Sequence, residues 1–523
     1  MSDPAKTRAI AVRLIVTGHL ELVTPAQLGN GDAESITAMP LLLDPVSQRP
    51  LLTGTSIAGA LRGYLHSYER GYGARSDNKL DAAMLATQLF GSSKGDDQGE
   101  QSPLIVEDAL GTLPPQRGFE IRDGVKIDYA THTADDKKKY DLELLPAGTT
   151  FSLRFELLLP ADPTQALRLR QALALTLQGL AADAHGYGAI TLGARRSRGF
   201  GRCRVRDQWQ FRRYTLLRDP EGLLAWLAAN HEGWMPPPPP TEVWTGNAAA
   251  VLGAAEAMPT DLCHDARRSF QIEAGFDLVG AILVRSSDPL TSAGAQPDVA
   301  HLHAYHPATP DQKTPILPGT SLAGALRGRA THIINTLWWP PSARSEALLD
   351  HMFGRDMHRK PREGEPAQPT ASRLIVEESP LRNGTPLVQN RIAIDRFTGG
   401  AYDTALFAEG PYVGGDVVLW LTLRLDETPD LAQQQAEIGL LLLLLKDLWT
   451  GDLPLGGTSS IGRGRLSGRW AKLIADNGTA WQLDASGAKL EVRRTNGVDE
   501  RAPSGETKPL ESYVKALYTY LRA

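Results

Sequence analysis

Two stretches of the chain are apolar in the manner of strands: residues 9–16, Ala-Ile-Ala-Val-Arg-Leu-Ile-Val, and residues 276–284, Phe-Asp-Leu-Val-Gly-Ala-Ile-Leu-Val. Short apolar runs bounded by Gly, Pro and Ser predict buried or half-buried strands. Each is followed by a long polar loop and then by a segment that opens on Gly-Thr-Ser and continues Ala-Gly-Ala-Leu-Arg. A hydroxyl at that point accepts from the first free amides of a helix, so the segment predicts a helix start. Leu104 to Val106 and Phe151 to Leu159 predict further strands, Gln165 to Ala182 a helix, and Gly201 to Val205 a closing strand after a glycine-rich turn. Strand, helix, strands, helix, strand is the order of a ferredoxin-like α+β unit. The most hydrophobic stretch, Leu440 to Leu445, is flanked by Glu437, Lys446 and Asp447. It is far short of a membrane span and predicts a buried helix.

The pattern occurs twice. Pro50 to Gly63 returns as Pro315 to Gly328, differing only where Leu51, Thr53 and Ile57 meet Ile316, Pro318 and Leu322. Three weaker blocks follow in the same order. Phe90-Gly91 and Leu104-Ile-Val-Glu-Asp108 match Phe353-Gly354 and Leu374-Ile-Val-Glu-Glu378, Ile127-Asp128 matches Ile394-Asp395, and Arg198-Gly-Phe-Gly-Arg202 matches Ile461-Gly-Arg-Gly-Arg465. Conserved order at an offset of 265 residues between Pro50 and Pro315 marks a duplicated domain, not a solenoid. The reading is two fused domains, 1–215 and 269–475. A Pro-rich linker, 216–268, joins them around Trp234-Met-Pro-Pro-Pro-Pro-Pro-Thr241, and an extension, 476–523, ends in a helix over Leu510 to Leu521 and lacks a counterpart in the first copy.

Composition narrows the chemistry. A chain of 523 residues with 42% hydrophobic and 22% charged residues can bury one core per copy. Only Cys203 and Cys263 are present, which excludes a disulfide framework, and Cys203 reads as a core or strand residue. The N-terminus has no secretory signal, which predicts a cytoplasmic protein. Net charge is −5, so any contact with nucleic acid must come from local patches. Such patches lie at Arg195, Arg196 and Arg198, at Arg202, Arg204 and Arg206, and at Arg463, Arg465 and Arg469.

Small residues at a helix start, Gly54, Thr55 and Ser56 and again Gly319, Thr320 and Ser321, leave free amides where the helix dipole favours phosphate. Arg62 and Arg327 lie two turns on. The alternative is a plain capped helix packed closely through Gly59 and Gly324. The turns Arg198, Gly199, Gly201, Arg202 and Gly462, Arg463, Gly464, Arg465 would let an RNA backbone approach the main chain, with arginines for its phosphates. Solvated arginines on a hairpin are the alternative. Neither turn is a Walker loop, since no Gly-Lys-Ser/Thr follows, and neither is a dinucleotide fingerprint, since a strand follows.

Taken together, Pro318-Gly319-Thr320-Ser321, Arg327, Ile394-Asp395-Arg396-Phe397-Thr398-Gly399-Gly400-Ala401, Leu406-Phe407, Glu409 and Gly462-Arg463-Gly464 resemble the RAMP superfamily. The chain is most similar to the Cas-seven backbone subunits of type III CRISPR complexes. The first copy keeps Gly54-Thr55-Ser56, Arg62 and Gly199-Phe200-Gly201 but departs at Asp128 to Thr131, and Ala58 and Ala323 stand where family members often carry Lys. The resemblance implies two ferredoxin-like, RRM-type domains, each with a β-hairpin thumb, stacked along a guide RNA. Partners would be guide RNA, target RNA and other Cas subunits, with no membrane. Asp395, Arg396 and Phe397 would belong to the thumb region.

Family members that cut target RNA use an Asp in the loop before the Gly-Thr-Ser helix, assisted by a divalent metal, Mg or Mn. That position falls near Ala38 in the first copy, with Asp32 too early, and close to Asp298 in the second. His301 and His303 follow on one face of a short predicted strand, placed for proton transfer or phosphate contact. The expectation is an RNA-holding double backbone subunit with target cleavage by its second copy. The alternatives are a non-catalytic structural or capping subunit and a guide-processing endoribonuclease.

Overall fold

The computed structural model describes the chain apart from residues 1–8, 32–37, 74–83, 93–99, 129–130, 132, 229–241, 253–263, 287–296, 307–308, 356–369, 403–405, 427–429, 487–488 and 496–507. The polyproline stretch and Asp32 therefore lie outside the described residues. In the first copy, β1 (Ile10–Leu22), α1 (Gly54–Arg70), β2 (Leu104–Val106), β3 (Thr150–Pro160), α2 (Pro163–Gln178) and β4 (Cys203–Val205) build an antiparallel sheet in the order β4–β1–β3–β2. In the second copy, β5 (Arg268–Val279), α3 (Gly319–Leu337), β6 (Leu374–Val376), β7 (Asp416–Leu425), α4 (Leu431–Trp449) and β8 (Arg465–Ile474) repeat it as β8–β5–β7–β6. This is the ferredoxin-like order in both copies.

Alternation puts Leu153, Phe155 and Leu157 of β3 in the first core with Leu14 and Val16 of β1. Ile57, Leu61 and Leu65, one helical face of α1, pack into the same core. Each such buried side chain contributes about 1.5–3 kcal/mol. Thr53 caps α1 by accepting from the Ser56 amide, and Asp162 caps α2 from the amides of Thr164 and Gln165. The apolar run in α4 is buried, as its sequence predicts. Cys203 is fully buried in β4.

Three boundaries differ from the sequence reading. Strand β5 starts at Arg268 because Phe270, Ile272, Ala274, Phe276 and Leu278 alternate inward. It ends before Gly280, whose φ of 79° breaks the ladder. Residues 242–252 are part of the first copy, not a bare spacer. Glu242–Gly246 pairs with Trp209–Thr215, Phe211 stacks on Trp244, and Val251 and Leu252 enter the core. The C-terminal tail does have a counterpart, since Ala480–Ser486 adds to β8 at the same sheet edge. The helix Lys508–Arg522 then packs Leu517, Tyr520 and Leu521 against the second core. Among the described residues, no helix is long and apolar enough to cross a membrane.

Candidate nucleic-acid interface

Both Gly-Thr-Ser segments form the first turn of their helix, and both glycines are demanded by the fold. A Cβ on Gly54 would lie 2.3 Å from the Val106 carbonyl oxygen, and one on Gly319 2.4 Å from that of Val376. Beyond this the two helix starts differ. In α1, Thr55 and Ser56 are exposed and Asp108 accepts from the Gly54 amide at 2.6 Å. In α3, the Arg198 carbonyl of the first copy closes over Gly319, and Thr320 and Ser321 are half-buried. Arg62 is half-buried with no ion pair among the described residues, whereas Arg327 donates to the Gly354 carbonyl at 2.8 Å and to Asp350 at 3.1 Å. Gly59 and Gly324 have nothing within 4 Å of an added Cβ, so close packing through them does not occur. The exposed side of α1 thus runs from Thr55 and Ser56 past Gly59 to Arg62, while the first-turn amides of Gly54 and Ser56 are already taken by Asp108 and Thr53.

The two glycine turns share one backbone. Arg195, Gly199 and Gly201 adopt positive φ in the first copy, and Thr458, Gly462 and Gly464 do so in the second. Gly201 and Gly464 are required locally, because a Cβ would fall 1.8 Å from the Leu192 oxygen and 1.9 Å from the Leu455 oxygen. Their surroundings diverge. The first turn is pushed into the second copy, where buried Arg202 grips Glu377 through two guanidinium nitrogens and Arg122 of the hairpin Glu120–Ile127 grips Glu378. Arg198 donates to the carbonyls of Phe353 and Leu374, both at 3.3 Å. Burial opposes the Arg202 charge, and Glu377 more than restores it, so the guanidinium stays charged. The second turn is exposed at Ile461 and Arg465, while Arg463 is buried against Glu409 at 2.7 Å and Gln389 at 2.7 Å.

In each copy the thumb strand takes the chain that follows the first strand in parallel, pairing Ala38 with Asp141 and Val299 with Glu409. Asp298, one residue before Val299, is exposed, and its carboxylate accepts from the Ala408 amide at 2.7 Å. His301 is buried, with Nδ1 accepting from the Val284 amide at 3.1 Å and Nε2 donating to the Ile316 carbonyl at 3.0 Å. Burial, with His303 nearby, depresses its pKa to about 3. Both nitrogens are occupied within the core, so His301 ties strands together and does not face ligand. His303, half-buried, donates from Nδ1 to the His301 carbonyl at 2.7 Å, and burial lowers its pKa. The two histidines thus face different surroundings and do not form one exposed face.

His303 lines an open cleft of about 450 Å³ between the copies, with Arg117, Phe119, Ile121 and Arg122 on one wall and Tyr305 and Lys313 on the other. Arg117 lies 4.0 Å over the Tyr305 ring. Asp298 is two residues from Ala300, the strand partner of Ser286 on the cleft wall. Among the described residues no group of His, Cys, Asp and Glu gathers as a metal site. Asp298 alone does not make a metal site. Asp395, Arg396 and Phe397 sit in the thumb turn of the second copy, where Asp395 accepts from the Phe397 amide and Phe397 is wholly exposed.

Sequence reasoning missed Glu377, Glu378, Arg122 and the cleft. The repeated Leu-Ile-Val followed by two acids, set against an arginine turn repeated in the same chain, was the available signal. A sequence profile of the RAMP superfamily matches residues 19–204 and again 241–467. No curated protein matches the chain.

Proposed function

The chain belongs to the RAMP superfamily, whose members are CRISPR-associated RNA-binding subunits, and from that premise we propose that it is a double backbone subunit of a type III complex. Each copy would hold a stretch of guide RNA and present the paired target. The observation that carries this reading is the exposed face of α1, where Thr55, Ser56, an unobstructed Gly59 and Arg62 share one side of the helix on a ferredoxin-like domain that the family match covers twice. The inter-copy cleft adds Arg117 on one wall and Lys313 with the Tyr305 ring on the other. RNA extracted from the purified protein and sequenced tests the reading: guides of a defined repeat-derived end support it, and RNA-free protein that fails to retain guide overturns it.

Target cleavage by the second copy is part of the same proposal. Asp298 is an exposed carboxylate held by a backbone amide beside the cleft, and it would orient the target ribose so that its 2′-hydroxyl attacks the adjacent phosphate in line. In the first copy the strand that pairs with the thumb in the same parallel sense is Ala38–Met39, which carries no acid.

A further inference from the structure

The joint between the two copies shows what one RAMP domain of this chain requires of its neighbour. The donor side is a glycine turn and a thumb: Gly199 pressed so close that a Cβ would lie 2.5 Å from the Glu378 amide nitrogen, with Arg202 on Glu377 and Arg122 on Glu378. The acceptor side is that acid pair together with Trp420, whose ring meets His185 edge-on at 6.1 Å. Because the copies are repeats, the chain carries a second donor side at one end and a second acceptor side at the other.

The second donor side is open. Gly462, the counterpart of Gly199, has nothing within 4 Å of an added Cβ, and Arg465, the counterpart of Arg202, is exposed without an ion pair among the described residues. The thumb beside it exposes Phe397 fully, Ile394 at 61% and Val388 at 52%. The second acceptor side is changed. Glu107 and Asp108 occupy the places of Glu377 and Glu378, and the backbone pairing of Glu107 with Arg154, like that of Glu377 with Trp420, puts Arg154 where the first joint has Trp420. The Arg154 guanidinium pairs with Glu107, and Asp108 is held by the Gly54 amide. An incoming arginine would meet a cation and carboxylates already engaged, which like-charge repulsion disfavours.

We infer that this chain has one end open to a further RAMP domain and that its other end does not accept a second copy of the chain. The open end is the thumb and glycine turn of its second copy, which docks onto a neighbouring RAMP domain that presents an unengaged acid pair, and Arg154 prevents a second copy of the chain from being that neighbour. The inference rests on the assembly reading above, but its test does not depend on RNA. Sedimentation of the full chain over a hundredfold concentration range should give a single monomer mass. Arg154→Trp should produce end-to-end association, and adding Arg465→Glu should return the monomer; Arg154→Ala, which frees Glu107 with less new bulk, should associate in the same sense more weakly. As a direct probe of the open end, tagged wild-type chain should capture an untagged Arg154→Trp/Arg465→Glu chain, and tagged Arg465→Glu should not. Wild-type oligomers abolished by Arg465→Glu, or folded Arg154→Trp and Arg154→Ala chains that stay monomeric, overturn the inference. The RNA content of the same samples reports separately on the RNA-binding proposal.

Discussion

Arg202 shows how a side chain's role depends on its neighbours more than on its local sequence. Its motif reads as a phosphate site, yet the guanidinium is buried and held by Glu377. Arg202→Ala should destabilise the protein by about 3–5 kcal/mol, because it strands a buried carboxylate. Arg202→Ala with Glu377→Gln should recover most of that loss in chemical denaturation; no recovery would mean that the two do not act as a pair. His301 makes an acid-side prediction. Its pKa is depressed in the fold, so the unfolded chain takes up a proton near pH 6.5 that the native state refuses down to about pH 3. Stability therefore falls as pH drops through that window, by about 1.4 kcal/mol per pH unit from this group. A His301→Gln chain should show a shallower loss between pH 7 and 5 when the two are unfolded side by side. Asp298→Ala should leave guide and target binding intact and remove a single cut. Cleavage persisting at every position with target bound normally would sink that role.

At the scale of elements, α1 gives separable predictions. Gly59→Ala should stabilise the helix by about 0.5–1 kcal/mol, since nothing opposes the added methyl. Gly59→Glu should keep the fold and weaken RNA retention, and unchanged retention would remove this face from the binding surface. Arg62→Ala should weaken RNA binding across sequences and lower its salt slope by about one. The sequence made these elements readable because apolar periods act over a few residues, as in the stripe Ile57, Leu61, Leu65; the cap of α1, however, is Thr53 and not a hydroxyl of the Gly-Thr-Ser segment, and α3 starts after Pro318 with no side-chain cap. It hid what depends on distant partners. The apolar run Phe276 to Val284 points to a strand but misses its true start at Arg268, and the pairing of Trp209–Thr215 with residues 242–246 does not show at all, because register across a loop leaves no local trace. The same holds for Asp298 and the histidines: their types and spacing were visible, while the burial that neutralises His301 is set by the strands packed around it.

For the whole molecule, the duplication seen in sequence fixed the architecture, and the joint between the copies explains why the repeats diverged. The position that faces the joint as Trp420 is Arg154 in the other copy, while Gly199 and Gly462 stay identical and only the first is pressed against a neighbour. Nicking the chain within residues 234–241 should leave both pieces in one particle on size exclusion, since the ion pairs of Glu377 and Glu378 and the seating of the first turn do not need the connection; separate elution would show that the connection holds the copies together. While the chain is intact, that joint has a further property. Two modules meeting through the same contacts from separate chains would part as they are diluted, whereas here each half meets the other at an effective concentration set by the tether. The spacing between the two faces is then a ruler written into one gene product, and any strand lying across both is measured in the same phase however scarce the protein becomes.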